Sequence, residues 1–268
     1  MNDHPFIIMC APNGARRVKK DHPEIPITPS EMADCAELIL ENGASILHLH
    51  VRDDNGGHSL DPDRYRASIK TVRERVGKNM IIQATTEAVG IYNREQQMEI
   101  VHDLKPEAVS LALRELCPTD QEMSEFAAFN EWLIKEHIFP QYILYNEADY
   151  KRFMSYQKQG VFHQDNPFIL FVMGSYAGPT PETAKTFECA TSHNGPWASC
   201  GFADNEKECI EHSINNGGHI RIGFENNIWR EDGTLLENNG EMIKYAADRS
   251  TRSIASADDV RNIFNLRD

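Results

Sequence analysis

Two histidines one residue apart give the sharpest chemical signal in this chain, in Ile46-Leu47-His48-Leu49-His50-Val51-Arg52-Asp53. Side chains two apart on an extended strand share a face, so His48 and His50 point together while Leu47, Leu49 and Val51 point away. Two imidazoles at a strand end suit one divalent cation, and they equally suit two hydrogen-bonded polar residues near a strand terminus. A second segment, Gly217-Gly218-His219-Ile220-Arg221-Ile222-Gly223-Phe224-Glu225-Asn226-Asn227, places a cation inside an apolar run and a carboxylate just past it. Glu225 can complete a His-His-Glu metal set that leaves positions open for substrate. Arg221 can hold a carboxylate through two parallel hydrogen bonds. Taken alone, the same segment reads as a surface turn with a charged pair.

Three further stretches carry weaker signals. Gln83-Ala84-Thr85-Thr86-Glu87 puts two hydroxyls and an acid at a strand end, where they can meet a ligand carboxylate or oxyanion, although threonine is common there. Asn13-Gly14-Ala15-Arg16-Arg17-Val18-Lys19-Lys20 is a local inversion of sign in an acidic chain, and it suits a polyanionic ligand or a solvated loop. Gly174-Ser175-Tyr176-Ala177-Gly178-Pro179-Thr180-Pro181 can present backbone N–H groups and the Ser175 hydroxyl to an anion, or serve as a plain connection. Neither dinucleotide nor P-loop glycine spacing occurs, and there is no G-x-S-x-G elbow. His4, His22, His58, His102, His137, His163, His193 and His212 fall in expected loops or helices without a nameable partner.

The elements that must position these groups are short apolar runs separated by helical patterns. Strands are expected at 6–11, 45–51, 80–85, 108–112, 139–145, 168–173, 197–202 and 218–223. Runs such as FIIMC, MIIQA and FILFVM are continuous rather than alternating, which suits parallel strands buried on both faces. Eight strand–helix units in one chain of this length point to an α/β fold, a (β/α)8 TIM barrel occupying 1–268 as one domain. Thr28-Pro29-Ser30-Glu31, Asp61-Pro62-Asp63, Thr119-Asp120 and Thr180-Pro181-Glu182 read as helix starts, and Gly43 and Gly160 as stops. The loop 226–240 is long enough to cover the barrel mouth. SADDVRNIFNL, near 256–265, reads as an extra C-terminal helix packed on the outside or on a partner.

Composition bounds the function. The chain has 268 residues and a net charge of −14, with 40% hydrophobic and 25% charged residues. That size builds a closed core without disulfides. The acidic balance disfavours nucleic acid and anionic membrane surfaces as partners. No apolar run approaches the ~18 residues of a membrane span. The first residues lack a basic start and a long apolar stretch, so no secretory signal is expected. Six cysteines without a C-x-x-C pair suggest reduced thiols and a cytoplasmic location.

Quoted in order, NGARR-VKKDHPEIPITPSEMADCA, GASILHLHVRDDNGGHSLDPDRYR, IIQATTE, PEAVSLALREL and GGHIRIGFENN resemble the β-keto acid cleavage enzyme family along nearly the whole chain. The resemblance implies a zinc-binding TIM barrel that exchanges a β-keto acid with acetyl-CoA, giving acetoacetate and a new acyl-CoA. It implies His48, His50 and Glu225 as metal ligands, Arg221 as the substrate clamp, and Thr85 or Thr86 as the substrate hydroxyl. It also implies a homo-oligomer, dimer or tetramer. The ligand set alone admits other divalent metals. In the family pattern an aspartate follows the metal-binding glutamate and abstracts the proton; here Asn226 stands there, and a carboxamide is no base near neutral pH. Either another group takes the proton, with Glu87 a candidate, or the chemistry differs in detail. An acid that meets a substrate amine is replaced by Arg16 or Arg17, and a strand-five carboxylate by Ile143. The expected substrate is therefore an anionic or neutral β-keto acid rather than an amino-substituted one. Competing readings are a metal-dependent hydrolase or aldolase on the same barrel, and a non-catalytic homologue that binds metal and ligand.

Overall fold

A computed structural model describes residues 4–176, 180 and 182–266. Eight parallel strands close a barrel in chain order. They are β1 (Ile8–Cys10), β2 (Ile46–Leu49), β3 (Ile81–Thr85), β4 (Ala108–Ala112), β5 (Phe139–Leu144), β6 (Phe168–Met173), β7 (Trp197–Gly201) and β8 (His219–Ile222). The helices are α1 (Pro29–Glu41), α2 (Pro62–Val76), α3 (Arg94–Leu104), α4 (Met123–Lys135), α5 (Glu147–Lys158), α6 (Thr183–Ser192), α7 (Asn205–Asn215), α8 (Gly240–Arg249) and α9 (Ala257–Ile263). The (β/α)8 expectation holds, and all eight expected strands are present, with β1 shorter than its apolar run. Phe6 instead bridges to Ile254 beside the C-terminal segment.

Local chemistry explains the element ends. Thr28 caps α1 in a reciprocal box with Glu31, and Asp61 caps α2 through the N–H groups of Asp63 and Arg64. The Thr119 start opens a short 3-10 turn, Asp120–Glu122, that runs into α4; a single helical turn, Leu113–Leu116, follows β4 before it. α6 begins at Thr183, one residue after Glu182, and Pro181 lies outside the described residues. A two-stranded ribbon, Val51–Arg52 with His58–Ser59, was not legible in the sequence.

Strand alternation sorts the core into two shells. Leu47, Leu49, Ile82, Val109 and Tyr142 face outward into the layer under the helices. Ile46, Ile81, Ala108, Phe139 and Phe168 face the barrel axis. Apart from His219, which packs on Phe168 at the start of β8, the interior is apolar where the strands begin. Toward their C-terminal ends the same inward positions become His48, Gln83, Thr85, Ser110 and Arg221.

Two expectations are corrected. The C-terminal helix does not lie on the outside of the barrel wall: Ala257 and Val260 join the inner apolar cluster, and the Phe264 ring lies 4.4 Å from Phe139 and 4.9 Å from Phe168. Arg261 donates to Glu107 at 2.9 Å and to the Lys78 carbonyl at 2.9 Å, tying α9 to the loops before β4 and β3. The helix therefore plugs the barrel floor, which a ring of Phe and Ile side chains would otherwise leave open to water. The 226–240 loop does not cover the mouth. It folds into a tight ribbon, with Trp229 bridged to Leu235, and packs Ile228 and Leu236 against Ile25 and Phe224 at one side. No helix among the described residues is long and apolar enough to cross a membrane.

Candidate active site

The inward face of β2 delivers two imidazoles to the barrel mouth, and the turn after β8 delivers a carboxylate to meet them. His48 Nε2 lies 3.0 Å from His50 Nε2, and Glu225 Oε2 lies 3.7 and 3.5 Å from those nitrogens. Tetrahedral ligands about 2.0–2.1 Å from a zinc ion stand roughly 3.3–3.4 Å apart, and the three separations bracket that distance. All three residues are buried, and Glu225 Oε2 has no hydrogen-bond partner among the described residues. An unpartnered buried carboxylate oxygen facing two imidazole nitrogens is costly without a cation. The donor set therefore fits a divalent metal.

The two imidazoles are held from behind. The far nitrogen of His48, Nδ1, lies 2.8 Å from Gln83 Oε1, and the Gln83 amide donates in turn to Gln141 Oε1 at 3.2 Å. Donation from Nδ1 fixes the tautomer that leaves an Nε2 lone pair for a metal. Burial, with Arg221 nearby, pushes the His48 pKa well below its ordinary value and so favours the neutral, ligating ring. His50 Nδ1 faces Glu87 Oε2 at 3.9 Å, and its ring packs 5.3 Å from that of His58. His58 Nε2 in turn bonds the Glu87 carbonyl at 2.8 Å.

Arg221 points inward from β8, 3.3 Å from Glu225 Oε1, and its Nε has no partner among the described residues. Burial opposes ionisation of Glu225, but Arg221 and the two imidazoles outweigh it and hold the carboxyl well below the usual range. Arg16, Thr85, Thr86, Glu87, Ser175, Arg221, His48 and Glu225 all line one cavity of about 640 Å³. Burial raises the Glu87 pKa above its ordinary value, His50 opposing, which moves a carboxylate toward the range of a general base.

Not every expected residue reaches the cavity. Arg17 donates from Nη1 to the Phe224 carbonyl at 2.6 Å and approaches the Asn226 carbonyl at 3.5 Å, so it braces the turn after β8 instead of lining the cavity. Asn226, next to Glu225 in the chain, is fully buried, and both polar atoms of its amide lack partners among the described residues. The two threonines divide their labour. Thr86 Oγ1 donates to the Ser110 carbonyl at 2.9 Å, whereas Thr85 Oγ1 accepts from Glu87 N–H at 3.1 Å and keeps its own proton available. Ala177, Gly178 and Pro179 of the glycine-rich segment lie outside the described residues.

Sequence reasoning missed Ser110, Arg114, Tyr145 and Tyr176, all of which line the cavity, and the packing role of His58. Ser110 had a signal: it is the one hydroxyl inside the apolar AVSLA run, at an inward position, and its Oγ has no partner among the described residues. Arg52 was also passed over. It donates to the carbonyls of Asn13, Gly14 and Arg17, at 3.2, 2.6 and 2.8 Å, and so ties the loop after β1 over β2.

The sequence profile of the family described as beta-keto acid cleavage enzyme matches residues 5–266. A 3-keto-5-aminohexanoate cleavage enzyme of Fusobacterium nucleatum subsp. nucleatum is 29% identical, over 98% of both chains. A 3-oxoadipate:acetyl-CoA acetyltransferase of Cupriavidus necator is 26% identical, over 98% of this chain and 95% of that protein. Among solved structures, the ternary complex of ObcA with C4-CoA adduct and oxalate superposes with a TM-score of 0.70 at 16% identity, covering 91% of this chain and 68% of that one. That likeness establishes the shared fold. With a matching profile along nearly its whole length and a buried His-His-Glu cluster at its mouth, the chain belongs to the β-keto acid cleavage enzyme family.

Proposed function

We propose that this protein is a metal-dependent acyltransferase that reacts a β-keto acid with acetyl-CoA, releasing acetoacetate and the acyl-CoA of the remaining fragment. The observation that carries this reading is the meeting of His48, His50 and Glu225 beside Arg221, with His48, Glu225 and Arg221 in the wall of one cavity. Names borne by relatives support the acetyl-CoA partner and a keto-acid substrate. Zinc is the metal proposed, since two imidazoles and a carboxylate are a common zinc set. A zinc ion held there would supply Lewis acidity to the substrate's keto oxygen.

The chain's own groups do the rest. Arg221 holds the substrate carboxylate, fixing its charge and orientation so that loss of carbon dioxide is disfavoured. Glu87 takes a proton from the carbon between the two carbonyls, because Asn226 has no basic atom. The resulting carbon nucleophile attacks the acetyl thioester, and the thiolate of coenzyme A leaves. That thiolate then adds to the original ketone, the carbon–carbon bond breaks, and acetoacetate departs with the electron pair and a returning proton. Thr85 and Ser110 offer hydroxyl donors to the oxygens that gain charge along this path. Arg16 places a cation where an amine-bearing substrate would be repelled, so the substrate class proposed is anionic or neutral.

The test is incubation of zinc-loaded protein with acetyl-CoA and a panel of β-keto acids, reading acetoacetate and acyl-CoA. Production of both, dependent on acetyl-CoA, is expected. Cleavage that proceeds without acetyl-CoA would replace this reading by aldolase or hydrolase chemistry, and ligand binding with no turnover by a non-catalytic role.

A further inference from the structure

Besides Arg221 and Arg16, the cavity is lined by a third cation that the reaction itself does not use. Arg114 follows β4, on the side of the eight-stranded barrel opposite β8, which carries Arg221. Both guanidiniums line the same cavity. Arg114 is fixed on two sides. Its Nε and Nη2 donate to Asp149 Oδ2 at 3.1 and 2.7 Å, and its guanidinium carbon stacks 4.0 Å over the Tyr145 ring. Asp149 is itself held: it is buried, accepts Tyr145 N–H at 3.0 Å on the same oxygen, and has its own N–H capped by Asn146 at 2.9 Å. Nη1 is left without a partner among the described residues. A planar cation braced by a carboxylate and a ring, with one nitrogen free beside a cavity, is built to receive a second anion with little ordering cost.

Resting on the acyltransferase reading above, we propose that Arg114 is the specificity residue of this site, binding the distal carboxylate of a dicarboxylic β-keto acid whose proximal carboxylate sits on Arg221. The two cations stand across the barrel mouth, so a substrate bearing a charge at each end is gripped at both, and its reactive carbons lie between them over the His48–His50–Glu225 cluster. Tyr145 contributes the ring on which Arg114 rests, and Asp149 aims it. Arg16 approaches the mouth from the loop after β1, where its guanidinium carbon lies 5.8 Å over Tyr176, so it competes for the same role from another direction.

The experiment compares a six-carbon dicarboxylic 3-oxo acid with 3-oxohexanoate, its monocarboxylic counterpart. Wild type, Arg114→Met, Arg114→Lys and Arg16→Met are each assayed with acetyl-CoA. In parallel, calorimetry measures equilibrium binding of adipate and hexanoate to the zinc-loaded proteins, a readout that needs no turnover. Wild type should prefer the dicarboxylic compound in both measurements. Arg114→Met should lower kcat/KM and affinity for it about 10- to 100-fold, the scale of one lost charge-assisted contact, with the monocarboxylic compound changing less than about threefold. Arg114→Lys, which keeps the charge but loses the fork, should recover part of the preference. Equal losses on both compounds would reduce Arg114 to a structural brace and overturn the proposal. So would a wild-type protein without dicarboxylate preference, or a preference that survives in Arg114→Met and vanishes in Arg16→Met. If binding preference depends on Arg114 but no acetyl-CoA-dependent turnover appears, the reaction falls and the subsite stands. Turnover with an Arg114-independent preference gives the reverse.

Discussion

Gly14 lies against the stem of Glu225 so closely that a Cβ on Gly14 would come within 2.5 Å of Glu225 Cγ. Gly14 also has φ +58°, a region that non-glycine residues adopt at a cost. The loop after β1 therefore reaches across to the turn after β8 and fixes Glu225, the proposed third metal ligand. Gly14→Ala is expected to push Glu225 off the two imidazoles and weaken zinc binding about 10- to 100-fold, the range seen when groups behind metal ligands are disturbed. Metal titration of the folded variant, with circular dichroism as the fold control, checks this.

His48 should be indispensable in a way its neighbours behind are not. His48→Ala is expected to abolish zinc binding and activity together, and chelator treatment of wild type should remove activity that zinc restores. Gln83→Leu, which removes the group holding His48 Nδ1, should bind zinc about tenfold more weakly yet regain activity at high zinc. Activity retained by His48→Ala at native metal content would count decisively against the cluster.

The two threonines at the end of β3 should separate by function. Thr85→Ala is expected to lower kcat/KM about 10- to 100-fold with the melting temperature nearly unchanged, because its hydroxyl proton is available to substrate. Thr86→Ala should instead cost about 1 kcal/mol of stability, since its hydroxyl is bonded to the Ser110 carbonyl. Steady-state kinetics and thermal melts on the pair of variants decide it.

Glu206 gives the fold a pH dependence of known sign. It is fully buried between the Gly223 N–H and the Asn227 amide, and burial, opposed by the Asn227 bond, pushes its pKa up to about 7. Below about pH 4.5 the folded and unfolded states both hold the proton, and there is no penalty. Between there and pH 7 the unfolded chain ionises while the folded one resists, so stability falls as pH rises through that window. Glu206→Gln should lose this component, leaving a pH-independent offset from one imperfect hydrogen bond. Denaturant melts from pH 4.5 to 8 provide the measurement; parallel curves for the two proteins would refute the assignment.

The floor plug should matter to stability but not to chemistry. Phe264→Ala removes a ring packed on Phe139 and Phe168 and is expected to cost about 3 kcal/mol. Its kcat/KM measured well below the melting temperature should stay near wild type, because α9 lies at the end of the barrel away from the cavity.

Much of the molecule was legible in one dimension because its logic is local. The continuous apolar runs announced buried parallel strands, and caps such as Thr28 with Glu31 announced helix starts, since both depend on residues a few positions apart. His48 and His50 were legible for the same reason: strand alternation puts them on one face whatever the rest of the chain does. Family motifs then linked Glu225 to them across the chain.

What folding alone decided is which distant groups share a space and which ways they turn. Nothing in the local sequence distinguishes Arg16, which lines the cavity, from Arg17, which donates to carbonyls of the β8 turn. Nothing there says that Arg114, four strands from Arg221 around the barrel, faces the same cavity, or that SADDVRNIFNL turns back beneath the strands to close the floor. The physical reason is the same in each case. Periodicity dictates the face on which a side chain leaves its own strand or helix, whereas its partner is dictated by closure of the barrel, which joins residues hundreds of positions apart through packing that no short window contains.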